Sequence, residues 1–129
     1  MEHGRHLIFI ADEVGIATIF PSLKSKIAEK YYKHISLLYY SEVGQYLFQK
    51  EIEILKSHYP TKFFGEMMRY DLLGDWNAEK EEIEAIINAN TMPNLAFVVC
   101  GKTEFQNQIQ HILQFLGITH ISTQDLSFS

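Results

Sequence analysis

The stretch His6-Leu7-Ile8-Phe9-Ile10-Ala11-Asp12-Glu13-Val14-Gly15-Ile16-Ala17-Thr18-Ile19 decides the fold. Its first half is a run of apolar, partly β-branched residues, suited to a strand buried on both faces. Ala11-Asp12-Glu13 then turns the chain, and Gly15 follows. From Ile16 the apolar residues fall at helical spacing, through Ile19, Phe20, Leu23 and Ile27. The period changes from that of a buried strand to that of an amphipathic helix within a few residues. In α/β proteins the crevice at the carboxyl end of such a strand is where ligands sit.

Outward from this opening, strands and helices alternate. His6–Ala11 reads as the first strand and Gly15 to about Lys30 as the first helix. Pro21 lies near its first turns, where a missing N–H costs least. His34–Tyr40 is a mostly apolar second strand, and Ser41-Glu42-Val43-Gly44 a turn. Gln45–His58 reads as the second helix, with Leu47, Phe48, Ile52 and Leu55 on one face. Lys62–Tyr70 is a third strand of weak pattern, interrupted by a glycine. Asn77 is expected to cap a third helix over Ala78–Asn88, whose glutamates crowd the early turns, where the helix dipole favours anions.

Leu95–Cys100 is the clearest later strand, and Gly101-Lys102-Thr103 turns the chain into a fourth helix. Gly117 fits a left-handed helix end, and Ile118–Leu126 holds the fifth strand. Such alternation predicts a parallel sheet with helices on both faces. Right-handed crossovers leave few topologies, among them the Rossmann-like order 3-2-1-4-5. That order sets the first and fourth strands side by side. Their carboxyl ends then bring Ala11–Gly15 and Cys100–Thr103 into one cleft.

Composition narrows the function. A chain of 129 residues suits a single domain with one sizeable core. Net charge is −5 and the basic residues are scattered, so no basic stripe points to nucleic acid. No apolar run approaches the ~20 residues of a membrane span. Met1–Arg5 lacks the order of a signal peptide, and the single cysteine, Cys100, rules out an internal disulfide framework. These features point to the cytoplasm. The six histidines have no ligand spacing, so no metal site is expected. His3 and His6 read as parts of a frayed end.

Three segments together resemble the pyridine-nucleotide module of the ferredoxin reductase superfamily. They are Ala11-Asp12-Glu13-Val14-Gly15-Ile16-Ala17-Thr18, Phe97-Val98-Val99-Cys100-Gly101-Lys102, and Leu116-Gly117-Ile118 followed by Gln124-Asp125-Leu126-Ser127-Phe128. In that family a strand runs into a Gly-Gly-Thr-Gly-Ile-Thr-Pro-like turn, and a later strand ends in Cys-Gly-Pro. The Asp12-Glu13 pair looks more like the siderophore-interacting branch, whose turn reads Asp-Glu-Thr-Ala-Leu-Pro. The chain departs from the pattern at the first turn glycines, now Asp12 and Glu13, and at the proline after Cys-Gly, now Lys102. Ser41 stands where an arginine often follows the second strand, near the adenosine phosphate. The family's N-terminal flavin-binding barrel is missing from this chain.

The resemblance implies a module that presents NADH or NADPH to FAD carried on a separate flavin-binding domain. A redox protein or a ferric siderophore would be the final electron acceptor. By the same resemblance the cofactor-binding residues are Ala11, Asp12, Glu13, Val14, Gly15, Ile16, Ser41, Gly101, Lys102 and Thr103. Cys100 is implied as the catalytic residue, beside the nicotinamide ring.

Each of these residues also has a purely structural reading. Asp12 and Glu13 either cap the first helix or face a ribose or a partner domain; as carboxylates they would repel a pyrophosphate. Gly15 permits close backbone approach, either to a ligand or between helix and strand. Cys100 is either a positioning residue or a core cysteine. Lys102 and Thr103 either serve a phosphate or form a solvated turn. Trp76 reads as buried within the domain in preference to touching a partner. Two other functions remain open: a phosphoacceptor receiver domain, with Asp12-Glu13 as its acidic pair and Asp71 as acceptor, and a non-catalytic relative that binds only a partner. A receiver would want a Lys-Pro after its fifth strand, and none is present.

Overall fold

Strands and helices alternate through the computed structural model, which describes residues 5–89, 95–118 and 121–123. The chain runs β1 (Arg5–Ala11), α1 (Ile16–Ala28), β2 (Tyr32–Ser41), α2 (Gln49–His58) and β3 (Phe63–Arg69). It continues through α3 (Asn77–Asn88), β4 (Leu95–Cys100), α4 (Thr103–Phe115) and β5 (Ile121–Thr123). The five strands form one sheet in the order β3-β2-β1-β4-β5, and every pairing is parallel. This is the predicted Rossmann-like arrangement. Central β1 is paired on both sides, so its run of apolar residues is buried on both faces.

Side-chain alternation divides the core in two. Leu7, Phe9, Ala11, Leu37, Tyr39 and Cys100 face α1 and α2, meeting Ile16, Ile19, Leu23 and Ile52. Ile8, Ile10, Leu38, Tyr40, Phe97 and Val99 face α3 and α4, meeting Ile83, Phe105, Ile109 and Leu113. The helical spacing of the apolar residues selects these stripes. The Tyr40 hydroxyl donates to Glu82 Oε1 at 2.6 Å and ties β2 to α3. Trp76 is buried between Tyr70 and Phe105, as expected.

Several local expectations are corrected. Helix α2 starts at Gln49, not Gln45. Phe48, just ahead of it, holds a left-handed φ of 66° and stacks on Phe20 at 4.3 Å between centroids, so ring packing overrides helical propensity there. Leu47 is consequently exposed. Asn77 lies inside α3, and its amide donates to Asp75 Oδ1, the carboxylate that took the capping role. Pro21 sits in the second turn of α1, where it forfeits a bond to the Ala17 carbonyl; that residue is exposed to water. His6 belongs to β1 and is buried, with Nε2 2.7 Å from Ser36 Oγ.

Helix α4 ends as the sequence predicts. Gly117 has φ 89°, its amide donates to Gln114, and the Ile118 amide donates to Leu113. That pair of bonds is a Schellman motif, so Ile118 closes the helix and β5 begins only at Ile121. The Gln124–Phe128 stretch lies outside the described residues.

Candidate functional site

The register of the two central strands builds the site. Ala11 pairs with Tyr39 on one side and with Cys100 on the other. The turns that leave β1, β2 and β4 therefore rise together at the carboxyl edge. Gly15 lies against the outgoing end of β4. A Cβ at Gly15 would stand 2.2 Å from the Cys100 carbonyl oxygen and 2.7 Å from the Gly101 nitrogen. The close approach that this glycine permits is thus between helix and strand. Gly101 leaves space in the same way: a Cβ there would stand 2.6 Å from the Asp12 carboxyl carbon.

Asp12 fills that space. Its side chain is fully buried, and Oδ1 accepts the Val14 and Gly15 amides at 2.9 and 2.8 Å. Oδ2 accepts the Lys102 amide at 2.9 Å. One carboxylate thereby satisfies amides at the starts of both α1 and α4. Burial pushes its pKa up, and the three amides pull against that shift.

Glu13 takes no part in capping. Its Oε2 accepts from Lys102 Nζ at 2.7 Å, and the same ammonium donates to Glu42 Oε1 at 2.7 Å. Glu42 Oε2 accepts the Leu72 amide at 3.0 Å, and Arg69 donates to the Glu42 carbonyl at 2.9 Å. This clasp joins the four turns that follow β1, β2, β3 and β4. Partial burial pulls the Lys102 pKa down, but the bonds to Glu13 and Glu42 outweigh it and the net shift is upward. The bond from Lys102 holds Glu42 below the ordinary carboxylate range.

The remaining expected residues divide into turn-formers and rim. Ser41 is fully buried, and its Oγ accepts the Val43 and Gly44 amides, shaping the turn after β2. Cys100 is fully buried beneath α1. Ile16 is the buried first residue of α1. Val14 and Thr103 are exposed at the rim; α4 has Lys102 as its N-cap and no side-chain cap. The structure brings Ala11–Ile16 and Cys100–Thr103 together as the topology predicted, with Ser41 one strand away.

Sequence reasoning missed Glu42 and the wall of a cleft beside it. The cleft holds about 390 Å³ and is lined by Glu13, Tyr39, Val43, Gln45, Tyr46 and Leu47. Tyr39 stacks edge-on with Tyr46 at 5.2 Å between centroids. Its hydroxyl is buried with the Leu47 amide as its nearest donor, and burial raises its pKa to about 12. Glu42 carried a signal in its position, directly after β2 on the carboxyl edge. Among the described residues, no three His, Cys, Asp or Glu side chains converge as a metal site. No described helix is long and apolar enough to cross a membrane.

No protein-family model matches the sequence, and no curated protein matches it. Solved structures do match in shape. The CS-b5R domains of human Ncb5or, in the NAD+ form, superpose with a TM-score of 0.76 at 14% identity, over 93% of this chain and 36% of that one. A mutant ferredoxin-NADP+ reductase from Plasmodium falciparum, in complex with 2′P-AMP, gives 0.64 at 18% identity, over 93% and 51%. Flavohemoglobin from Malassezia yamatoensis, with bound FAD and heme, gives 0.66 at 12% identity, over 96% and 32%. This chain spans between about a third and a half of the length of those chains. At such identities the likeness is one of fold, and the fold is the one found within these reductase-type proteins.

Proposed function

We propose that this chain is a pyridine-nucleotide-binding module that presents NADH or NADPH to a flavin on another domain. The observation that carries the reading is the juxtaposition at the carboxyl edge. There the β1 and β4 turns close on each other through Gly15, beside a cleft at the end of β2. The fold shared with reductase-type proteins supports the same reading. Ligands of open α/β sheets sit at this edge, where the strand order reverses.

The residues fit one half of a dinucleotide. The cleft offers the Tyr46 ring and the Gln45 side chain to a base and ribose. Pyridine nucleotide supplies the hydride, and the protein supplies orientation. On this reading Cys100, fully buried at the end of β4, positions the reacting ring through the packing of the strand end. By the Asp12-Glu13 turn, the nearest branch is the siderophore-interacting one. A flavin-binding domain is then the immediate partner, a ferric siderophore or redox protein the final acceptor, and the cytoplasm the location.

A second reading is a relative that keeps the fold only to dock on a partner. Asp12 favours it, because the amides a phosphate would use are already bonded. The receiver reading loses support from the same geometry. Both Asp12 oxygens face amides, and Asp71 accepts its own turn's Leu73 amide. Thermal denaturation with NADH or NADPH at millimolar concentration tests the choice. A nucleotide module melts higher with cofactor, by mass action. No shift with either cofactor would leave the docking reading, and a shift only with a phosphoryl analogue and Mg²⁺ would restore the receiver.

A further inference from the structure

We propose that Asp12 is a specificity-determining residue whose carboxylate occupies the phosphate position between the starts of α1 and α4. The crevice then takes a nucleotide by its base and ribose and leaves the diphosphate outside. The inference rests on reading this edge as a nucleotide site. It differs in saying which part of the nucleotide is held.

Backbone amides converging at helix starts make a ready anion site. Here the amides of Val14, Gly15 and Lys102 converge, and all three donate to Asp12 within 2.8–2.9 Å. The carboxylate lies in space that exists because residue 101 has no side chain, since a Cβ there would meet Asp12 at 2.6 Å. A phosphate would have to displace a fully buried side chain to reach those donors. The nearby charges give it no help. Lys102 Nζ is shared between two carboxylates, Glu13 and Glu42, so its charge is already neutralised. Arg69 is exposed, but its guanidinium is turned onto the Glu42 carbonyl. The cleft at Tyr39, Gln45 and Tyr46 lies to the side of this plug and is open to a nucleoside.

Amide chemical shifts of the whole chain, titrated with adenosine, NADH and inorganic pyrophosphate, test the proposal. Adenosine and NADH are expected to move the Gln45–Leu47 amides with affinities within about threefold of each other. Pyrophosphate should leave Val14, Gly15 and Lys102 unmoved. In Asp12→Gly the cradle opens. NADH should then bind at least tenfold more tightly than adenosine, and pyrophosphate should move those three amides. Asp12→Ala, which removes the carboxylate and keeps ordinary backbone preferences, serves if the glycine variant fails to fold; pyrophosphate should gain access there too. Pyrophosphate or NADH shifting Val14, Gly15 and Lys102 in the parent chain would overturn the proposal. If neither adenosine nor NADH binds the parent, the nucleotide reading fails. The pyrophosphate arm then decides the role of Asp12 alone: gain of binding in the variants supports it, and no gain overturns it.

Discussion

Replacing Gly15 by alanine probes the contact on which the crevice is built. The new Cβ would stand 2.2 Å from the Cys100 oxygen, 2.4 Å from the Cys100 carbonyl carbon and 2.7 Å from the Gly101 nitrogen. Unstrained contacts between such atoms lie near ~3.5 Å, so the α1 start must retreat from β4 by roughly 1 Å. All three atoms are backbone, and the carbonyl belongs to a strand paired with β1. No rotamer change relieves the clash. Overpacking of a close-packed site costs about 1–3 kcal/mol, and rigid backbone puts this one at or above the upper end. Gly15 has φ −78° and ψ −19°, which alanine adopts without strain. Stiffening the unfolded chain therefore returns about 0.4–1 kcal/mol. The net expectation is a loss of about 2–4 kcal/mol, read as a lower urea midpoint at unchanged slope. Gly65→Ala is the control, because its Cβ would meet only the Phe63 and Ile52 side chains, at 3.3 and 3.6 Å. It should cost less than about 1 kcal/mol. A Gly15→Ala variant as stable as the parent would refute the close approach.

Lys102→Met leaves Glu13 and Glu42 without their cation. Because the group is partly exposed, the cost should be about 1–2 kcal/mol by urea denaturation; an unchanged midpoint would show that the clasp contributes nothing. The pH dependence follows from the same bonds. Glu42 titrates below its ordinary value of 4.5, so its contribution is complete above 4.5 and is lost as pH falls through the lowered folded value. Asp12, raised above 3.8 by burial, acts in the opposite sense and loses its contribution as pH rises through its folded value. The parent should therefore shed stability on acidification through a component that Lys102→Met lacks, and identical acid limbs in urea midpoints between pH 3 and 6 would contradict this. Cys100 is fully buried, so a disulfide reagent should label it only as fast as the chain unfolds; labelling at the rate of a free thiol in the folded protein would show an open path to the strand end.

What could be read from sequence was whatever depends on period and handedness. The change of spacing at Gly15-Ile16 located the first turn, and the alternation of strands and helices with right-handed crossovers gave the strand order. Gly117 was legible because a helix end needs a residue that tolerates positive φ. The third strand read weakly because β3 is paired on one side only, so Phe63 and Gly65 are buried while Phe64 and Glu66 are exposed. The helix starts at Phe48 and Trp76 were not legible, since both residues are left-handed where their rings pack, Phe48 on Phe20 of α1 and Trp76 on Tyr70 and on Phe105 of α4. The site was legible as a place but not as a set of bonds. Asp12 and Lys102 are 90 residues apart, and only the folded register shows that one carboxylate serves both turns. Glu42 is read as one more turn residue until Lys102 and Leu72 arrive beside it.

The central claim is that a pyridine nucleotide binds at the carboxyl edge, and backbone amide shifts during an NADH titration test it most directly. The account predicts saturable shifts at Gln45, Tyr46 and Leu47, abolished by filling the cleft with Val43→Trp at an exposed position of its wall, and none along the opposite edge at His6, Ile35 and Phe64. Absence of saturable shifts up to millimolar NADH and NADPH, or shifts that map to that opposite edge, would contradict it.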